Sequence, residues 1–325
     1  MAEEYTYAVA RIRALENSLL TGSAVEQLIS CQDEEQCIHF LEERGWGGAE
    51  TAGDAEAILA REEEKIWEVV RDLHIDMKHF DVLSLPKEFQ NLKAAVKEAA
   101  TGNSGADIYY EGTALSGSDL SEIVRNRDFD RLPDNMKNAA EKAYDTLLHT
   151  GDGQLCDIII DKACLEAVLE AGRKAKKEGY GVICDYAESI ACVADIKTAI
   201  RSAKTGKSQD FLMQALVDTE SLSAAALAKA AAQGEDAVKE LLSTTDYRDA
   251  CDQLSESPSA FERWCDDKII ESLQPQKYET FTIGPVIAYV IARQNEIKTV
   301  RLILTGKANG LPDESIRERV RQMYV

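Results

Sequence analysis

The chain has 325 residues, 45% apolar and 29% charged, a balance that excludes wholesale disorder and a length that predicts about two domains. Lys and Arg number 37 against 58 Asp and Glu, so the net charge is −21 and the isoelectric point lies near 4.7. A surface of that sign repels phosphate backbones and argues against nucleic acid as a partner. With only 19 Gly and 6 Pro between long Ala, Leu, Glu and Lys stretches, the chain is predicted to be helical.

The opening Met1-Ala2-Glu3-Glu4 is acidic where a secretory signal would be basic, and no apolar core follows it, which predicts a cytoplasmic chain. From Tyr5 the apolar positions Val9, Ile12, Leu15 and Leu19 recur in steps of three and four, predicting one helix that stops at Thr21-Gly22. Ser23 with Glu26 reads as a capping box. The acidic run Glu62-Glu63-Glu64 falls in a charged helix over 60–71, where a solvated face is expected. Leu85-Pro86, Leu132-Pro133 and Leu311-Pro312 are each expected to open a helix, since proline suits the first turn. Residues 101–120, with Gly102, Gly105 and Gly112, lack periodicity and are expected to form a flexible connection. Gly151-Asp152-Gly153 reads as a helix–helix turn, and Asp157 to Asp161 as a buried helical segment.

A second long helix is predicted from Ile183 through Tyr186, Ile190, Val193, Ile196 and Ile200, stopping at Thr205-Gly206. Ser259 with Glu262 fits another capping box. A third long helix runs from Ile283 through Val286, Val290, Ile297, Val300 and Leu304 to Thr305-Gly306. Its apolar start, Phe281 to Ala292, is far short of the ~20 residues needed to span a bilayer and is interrupted by Gly284-Pro285, so it reads as core.

The last two helices resemble each other. One carries Ile196-Lys197-Thr198-Ala199-Ile200-Arg201 before Gly206; the other carries Ile297-Lys298-Thr299-Val300-Arg301 before Gly306. Ile12-Arg13 before Gly22 is a looser match, and chance likeness among amphipathic helices is the competing explanation. Three degenerate copies of one helical unit are expected, rather than a solenoid of fixed period. Charge is also uneven: residues 268–325 hold nine Lys and Arg against six Asp and Glu, a net +3, which leaves −24 on the rest. The stripe Arg317, Arg319, Arg321 either complements a helix C-terminus or meets an acidic partner.

Catalytic signatures fail one by one. Thr205-Gly206-Lys207-Ser208 resembles the end of a phosphate-binding loop, but Arg201 stands where that loop needs glycine and the preceding segment is helical. The four histidines (39, 74, 79, 149) show no metal-ligand spacing. No serine lies in a nucleophile elbow. The eight cysteines form no C-x-x-C pair and are expected to be free thiols, the helical ones acting as small apolar residues. No catalytic residue, cofactor or metal site is therefore expected.

Two terminal motifs carry a resemblance. Phe281-Thr282-Ile283-Gly284-Pro285, then Glu296 to Arg301, then Gly306-Lys307-Ala308-Asn309-Gly310-Leu311-Pro312, Ile316-Arg317-Glu318-Arg319 and Tyr324-Val325, together with the opening Tyr5 to Glu16, resemble the C-subunit family of bacterial and archaeal V-type ATPases and ATP synthases, the counterpart of the eukaryotic V-ATPase d subunit. The resemblance implies an all-α, funnel-shaped fold of three related helical subdomains with pseudo-threefold symmetry, expected near 1–130, 131–245 and 246–325. It implies a non-catalytic rotor component, one copy per complex, peripheral at the cytoplasmic face of the membrane. Its implied partners are the central-shaft subunits and the membrane proteolipid ring, which it joins for rotary ion transport. Arg11, Arg13, Arg201 and Arg301, near the ends of the resembling helices, are candidates for partner contact and equally for shared structure. The competing reading is a cytosolic helical-repeat enzyme or regulator with an unrecognised site.

Overall fold

The computed structural model describes residues 5–102 and 108–325; among them it is all-α, with a few 3-10 turns and no strand. The acidic opening 1–4 and residues 103–107 of the expected connection lie outside the described residues. The first four helices are α1 (Thr6–Glu16), α2 (Gly22–Ile29), α3 (Glu34–Glu43) and α4 (Ala55–Asp72). The middle of the chain forms α5 (Asp81–Thr101), α6 (Gly117–Asn126), α7 (Asp134–Thr150), α8 (Gly153–Lys177), α9 (Gly181–Lys204), α10 (Gln209–Ala215), α11 (Ala224–Gln233) and α12 (Glu235–Leu242). The remainder forms α13 (Ala250–Glu256), α14 (Pro258–Leu273), α15 (Gly284–Ala308) and α16 (Asp313–Arg317).

The chain divides into two units, Met1–Asp76 with Asp249–Val325, and Met77–Arg248. In the first, α15 is buried along most of its length, packed on α1, α2, α3, α4, α14 and α16. In the second, α9 packs on α8, α10, α11 and α12, while α5 packs on α6, α7 and α8.

Several boundaries follow the sequence. Gly151 adopts φ 66° after α7, and Asp152 caps α8, accepting hydrogen bonds from the backbone N–H groups of Gln154 and Leu155. The Asp157 to Asp161 run is helical within α8, and Pro133 and Pro312 immediately precede α7 and α16.

Other boundaries differ for local reasons. α1 stops at Glu16; Thr21 caps α2 by accepting from Ala24 N–H, so Gly22 begins a helix rather than ending one. Likewise Ser257, followed by Pro258 in the first turn, caps α14 in place of Ser259. Pro86 lies inside α5, preceded by a 3-10 turn. Gly306 does not stop α15: a Cβ there would meet the Ile316 side chain at 2.8 Å, so the glycine permits α16 to approach, and the positive φ falls at Gly310 instead. Part of the expected flexible stretch is structured, since Ser116 caps α6.

Candidate functional site

The charged helix α4 does not present its whole acidic run to water. Glu62 is 2% exposed and faces α15, where Arg293 and Glu296 stand one turn apart. The Arg293 guanidinium donates to both Glu62 and Glu296 and lies 5.1 Å over the Trp46 ring. Gly47 N–H donates to Glu62 at 2.8 Å, Lys65 Nζ donates to it at 2.6 Å, and Leu20 N–H donates to Glu296. Burial pushes the Glu296 carboxyl above the usual carboxylate range, opposed by Arg293 and by Leu20 N–H. For Arg293, burial acts to lower the pKa, but Glu296 and Glu62 hold it above its ordinary value. With its charges paired and its oxygens occupied, this cluster is a lock between α4, α15 and two loops, not a reactive centre.

In the other unit α9 grips a loop in a similar way. The buried Asp195 accepts from Val217 N–H at 3.0 Å. One turn back, Cys192 Sγ is 3.1 Å from Thr219 Oγ1, and Glu188 accepts from Ser221 N–H at 2.9 Å. Burial pushes the Asp195 carboxyl up to about 7, with Lys162 pulling it down and Asp218 adding to the rise. On α5, the fully buried Asn91 accepts from Tyr110 N–H at 2.7 Å and donates to Tyr110 C=O at 2.8 Å.

These three residues open matching sequences: Asn91-Leu92-Lys93, Asp195-Ile196-Lys197 and Glu296-Ile297-Lys298. Each helix sequence then reaches Thr-Gly, at 102, 206 and 306. Soon after each loop residue that is gripped, a Ser or Thr caps a short helix: Ser116 for α6, Ser223 for α11 and Thr21 for α2. The same offsets from each cap bury Leu120, Ile123 and Val124; Leu227, Ala230 and Ala231; Val25, Leu28 and Ile29.

The four candidate arginines are not brought together as one cluster. Arg11 pairs with Asp72 at 2.9 Å. Arg13 pairs with Glu16 at 2.8 Å and donates to the carbonyls of Gln276 (2.7 Å) and Glu279 (2.8 Å), tying α1 to the segment before α15. Arg301 is exposed and pairs with Glu56; Arg201 is exposed in the last turn of α9. In the sequence Glu62 reads as part of a solvated face and Glu296 only as part of a terminal motif, while Arg293, Asp195 and Asn91 do not stand out. The signal that finds Asn91, Asp195 and Glu296 is a polar side chain at a like offset before Thr-Gly in three helices.

Thr205 to Ser208 is a helix–helix turn. Gly206 has φ 65°, Ser208 caps α10, and Lys207 Nζ donates to Gln154 Oε1 at 2.7 Å, so the backbone does not wrap a phosphate. His79 is buried, edge-on to the Tyr180 ring at 4.3 Å. Among the described residues no three His, Cys, Asp or Glu side chains are grouped to hold a metal ion, and no helix is long and apolar enough to cross a membrane. Among the described residues the eight cysteines form no disulfide, and burial pushes the Cys37 and Cys164 thiols up to about 12, far from the reactive thiolate range.

The family model of the ATP synthase (C/AC39) subunit matches residues 8–319. The C subunit of the V-type sodium ATPase of Enterococcus hirae is 22% identical over 328 residues, covering 99% of each chain. The C subunit of the A-type ATP synthase of Methanocaldococcus jannaschii is 22% identical over 342 residues, 96% of this chain and 85% of the relative. Its counterpart from Methanosarcina mazei is 24% identical over 350 residues, 98% of this chain and 93% of the relative. Matched over nearly its whole length, the chain belongs to the ATP synthase (C/AC39) subunit family, as a structural rather than a catalytic component of a V/A-type ATPase.

Proposed function

We propose that this protein is a rotor coupling piece: a socket that receives the central shaft and joins it to the membrane proteolipid ring, at the cytoplasmic face and in one copy per complex. The observation that carries the reading is the threefold recurrence of one anchor, Asn91, Asp195 and Glu296, each a buried polar side chain that takes the backbone N–H of a loop ahead of a capped helix. A socket that encloses a shaft needs several like walls, and the three recurrences of this anchor are the candidates for them.

The copies are centred on α5, α9 and α15, with α5 in the place expected of α1. The third copy pairs α15 with α2, so it draws on both stretches of the unit that combines Met1–Asp76 with Asp249–Val325. On this reading the three related subdomains have limits other than those expected near 130 and 245. Close-packed interiors transmit strain, which suits a part that passes torque. Arg201 and Arg301, exposed near the ends of two copies, are the better placed of the four arginines to meet a partner; Arg11 and Arg13 remain candidates beside them.

The test is reconstitution of the ATPase head with the ring, with and without this protein. Hydrolysis by the head should persist in its absence while ATP-driven ion pumping is lost. Undiminished pumping without it would refute the coupling role.

A further inference from the structure

On an acidic chain, one surface groove is basic. It runs along α15 and is closed by the segment after α16; its ionisable lining residues are Lys298, Arg301, Arg319 and Arg321, with no carboxylate among them. Leu302 and the exposed Leu311 give it an apolar strip. From Lys298 to Asn309 the groove follows α15 for about 16 Å, at a rise of about 1.5 Å per residue. Lys298, Leu302, Thr305 and Asn309 form one row, in steps of four, three and four, along that helix.

Three of the cations are partly spent within the protein: Arg301 pairs with Glu56, Arg321 pairs with Asp266 at 2.5 Å, and Lys298 is also engaged. The exposed Arg319 side chain makes no hydrogen bond or ion pair among the described residues. The groove thus sets Lys298, Arg301, Arg319 and Arg321 beside Leu302 and Leu311 over its length, which fits an elongated partner that carries both carboxylates and apolar side chains. A second copy of this chain, also at −21, would be repelled. A lipid headgroup would meet the cations but would not follow the row.

We propose that this groove docks an acidic, amphipathic segment of another subunit of the complex, its carboxylates on Lys298, Arg301, Arg319 and Arg321 and its apolar edge on Leu302 and Leu311. The proposal rests on the reading of this chain as a joint between subunits, but not on which of those subunits turn.

The experiment places the photo-cross-linker p-benzoylphenylalanine at Leu311 of the full chain, in the purified assembled complex, and maps the adduct by mass spectrometry. The expected adduct is a segment of a different subunit, with Asp or Glu at three- or four-residue spacing. Its yield should fall at least fivefold in Arg319→Glu and be kept in Arg319→Lys, with circular dichroism unchanged in both. An adduct on lipid, on a segment without carboxylates, or none at all would overturn the proposal, as would a yield indifferent to Arg319→Glu. An acidic segment belonging to a stationary subunit would uphold the groove and instead contradict the rotor reading.

Discussion

Asp195 on α9 and Glu296 on α15 hold the same place in two helices of like sequence, and each accepts the backbone N–H of a loop, at Val217 and at Leu20. The two units handle the buried charge differently. Glu296 has Arg293 beside it, whereas Asp195 makes no ion pair and its Oδ1 has no hydrogen-bond partner among the described residues. In the third helix the same place is taken by neutral Asn91, which needs no compensation.

This contrast predicts a pH dependence. With its pKa raised to about 7, Asp195 in the folded chain still holds a proton that the unfolded chain has lost above the ordinary carboxylate range. Its contribution to stability therefore falls as pH rises through that window, and the cost is complete above pH 7. Asp195→Asn keeps an acceptor for Val217 N–H without the charge. Thermal melts should show the variant's advantage growing from about pH 5 to about pH 8. Each tenfold displacement of a proton equilibrium is worth about 1.4 kcal/mol, so the advantage at the upper end should be on the order of 2–4 kcal/mol. An advantage that stays constant with pH would contradict the assignment.

Arg293→Met leaves Glu62 and Glu296 buried without their shared cation, and stranding buried charge costs about 3–5 kcal/mol. The triple variant Arg293→Met, Glu62→Gln, Glu296→Gln should recover most of that loss, because the N–H groups of Gly47 and Leu20 keep acceptors. Urea unfolding of the two proteins decides the point; a single variant within about 1 kcal/mol of the parent, the scale of an exposed pair, counts against the lock.

Asn91→Leu removes both hydrogen bonds to the Tyr110 backbone, at a cost of about 1–3 kcal/mol for stranded polar groups. Hydrogen exchange at the Tyr110 amide should accelerate, while the amide of Val217 in the next copy should be unchanged. Equal acceleration at both would mean global loosening rather than loss of one anchor.

The helices themselves were legible, because α9 and α15 keep their apolar steps over many turns and because Gly151 and Gly206 adopt the left-handed conformation that ends a helix. The third copy was harder to see, since Asn91 replaces a carboxylate with an amide and hides the likeness to Asp195 and Glu296. Burial of Glu62 depends on Arg293, 231 residues away, and no local pattern distinguishes it from exposed neighbours such as Glu64. Gly306 carries the same ambiguity: a glycine after an apolar run reads as a stop, yet here it admits Ile316.

The most direct test of the central claim is single-molecule rotation. The complex is immobilised through its catalytic head, and a bead is attached to this protein through a biotin acceptor tag. If it joins shaft to ring, ATP should drive continuous unidirectional rotation of the bead, halted by removal of nucleotide. A bead that stays fixed while the same molecules hydrolyse ATP would place the protein outside the rotor and contradict the account.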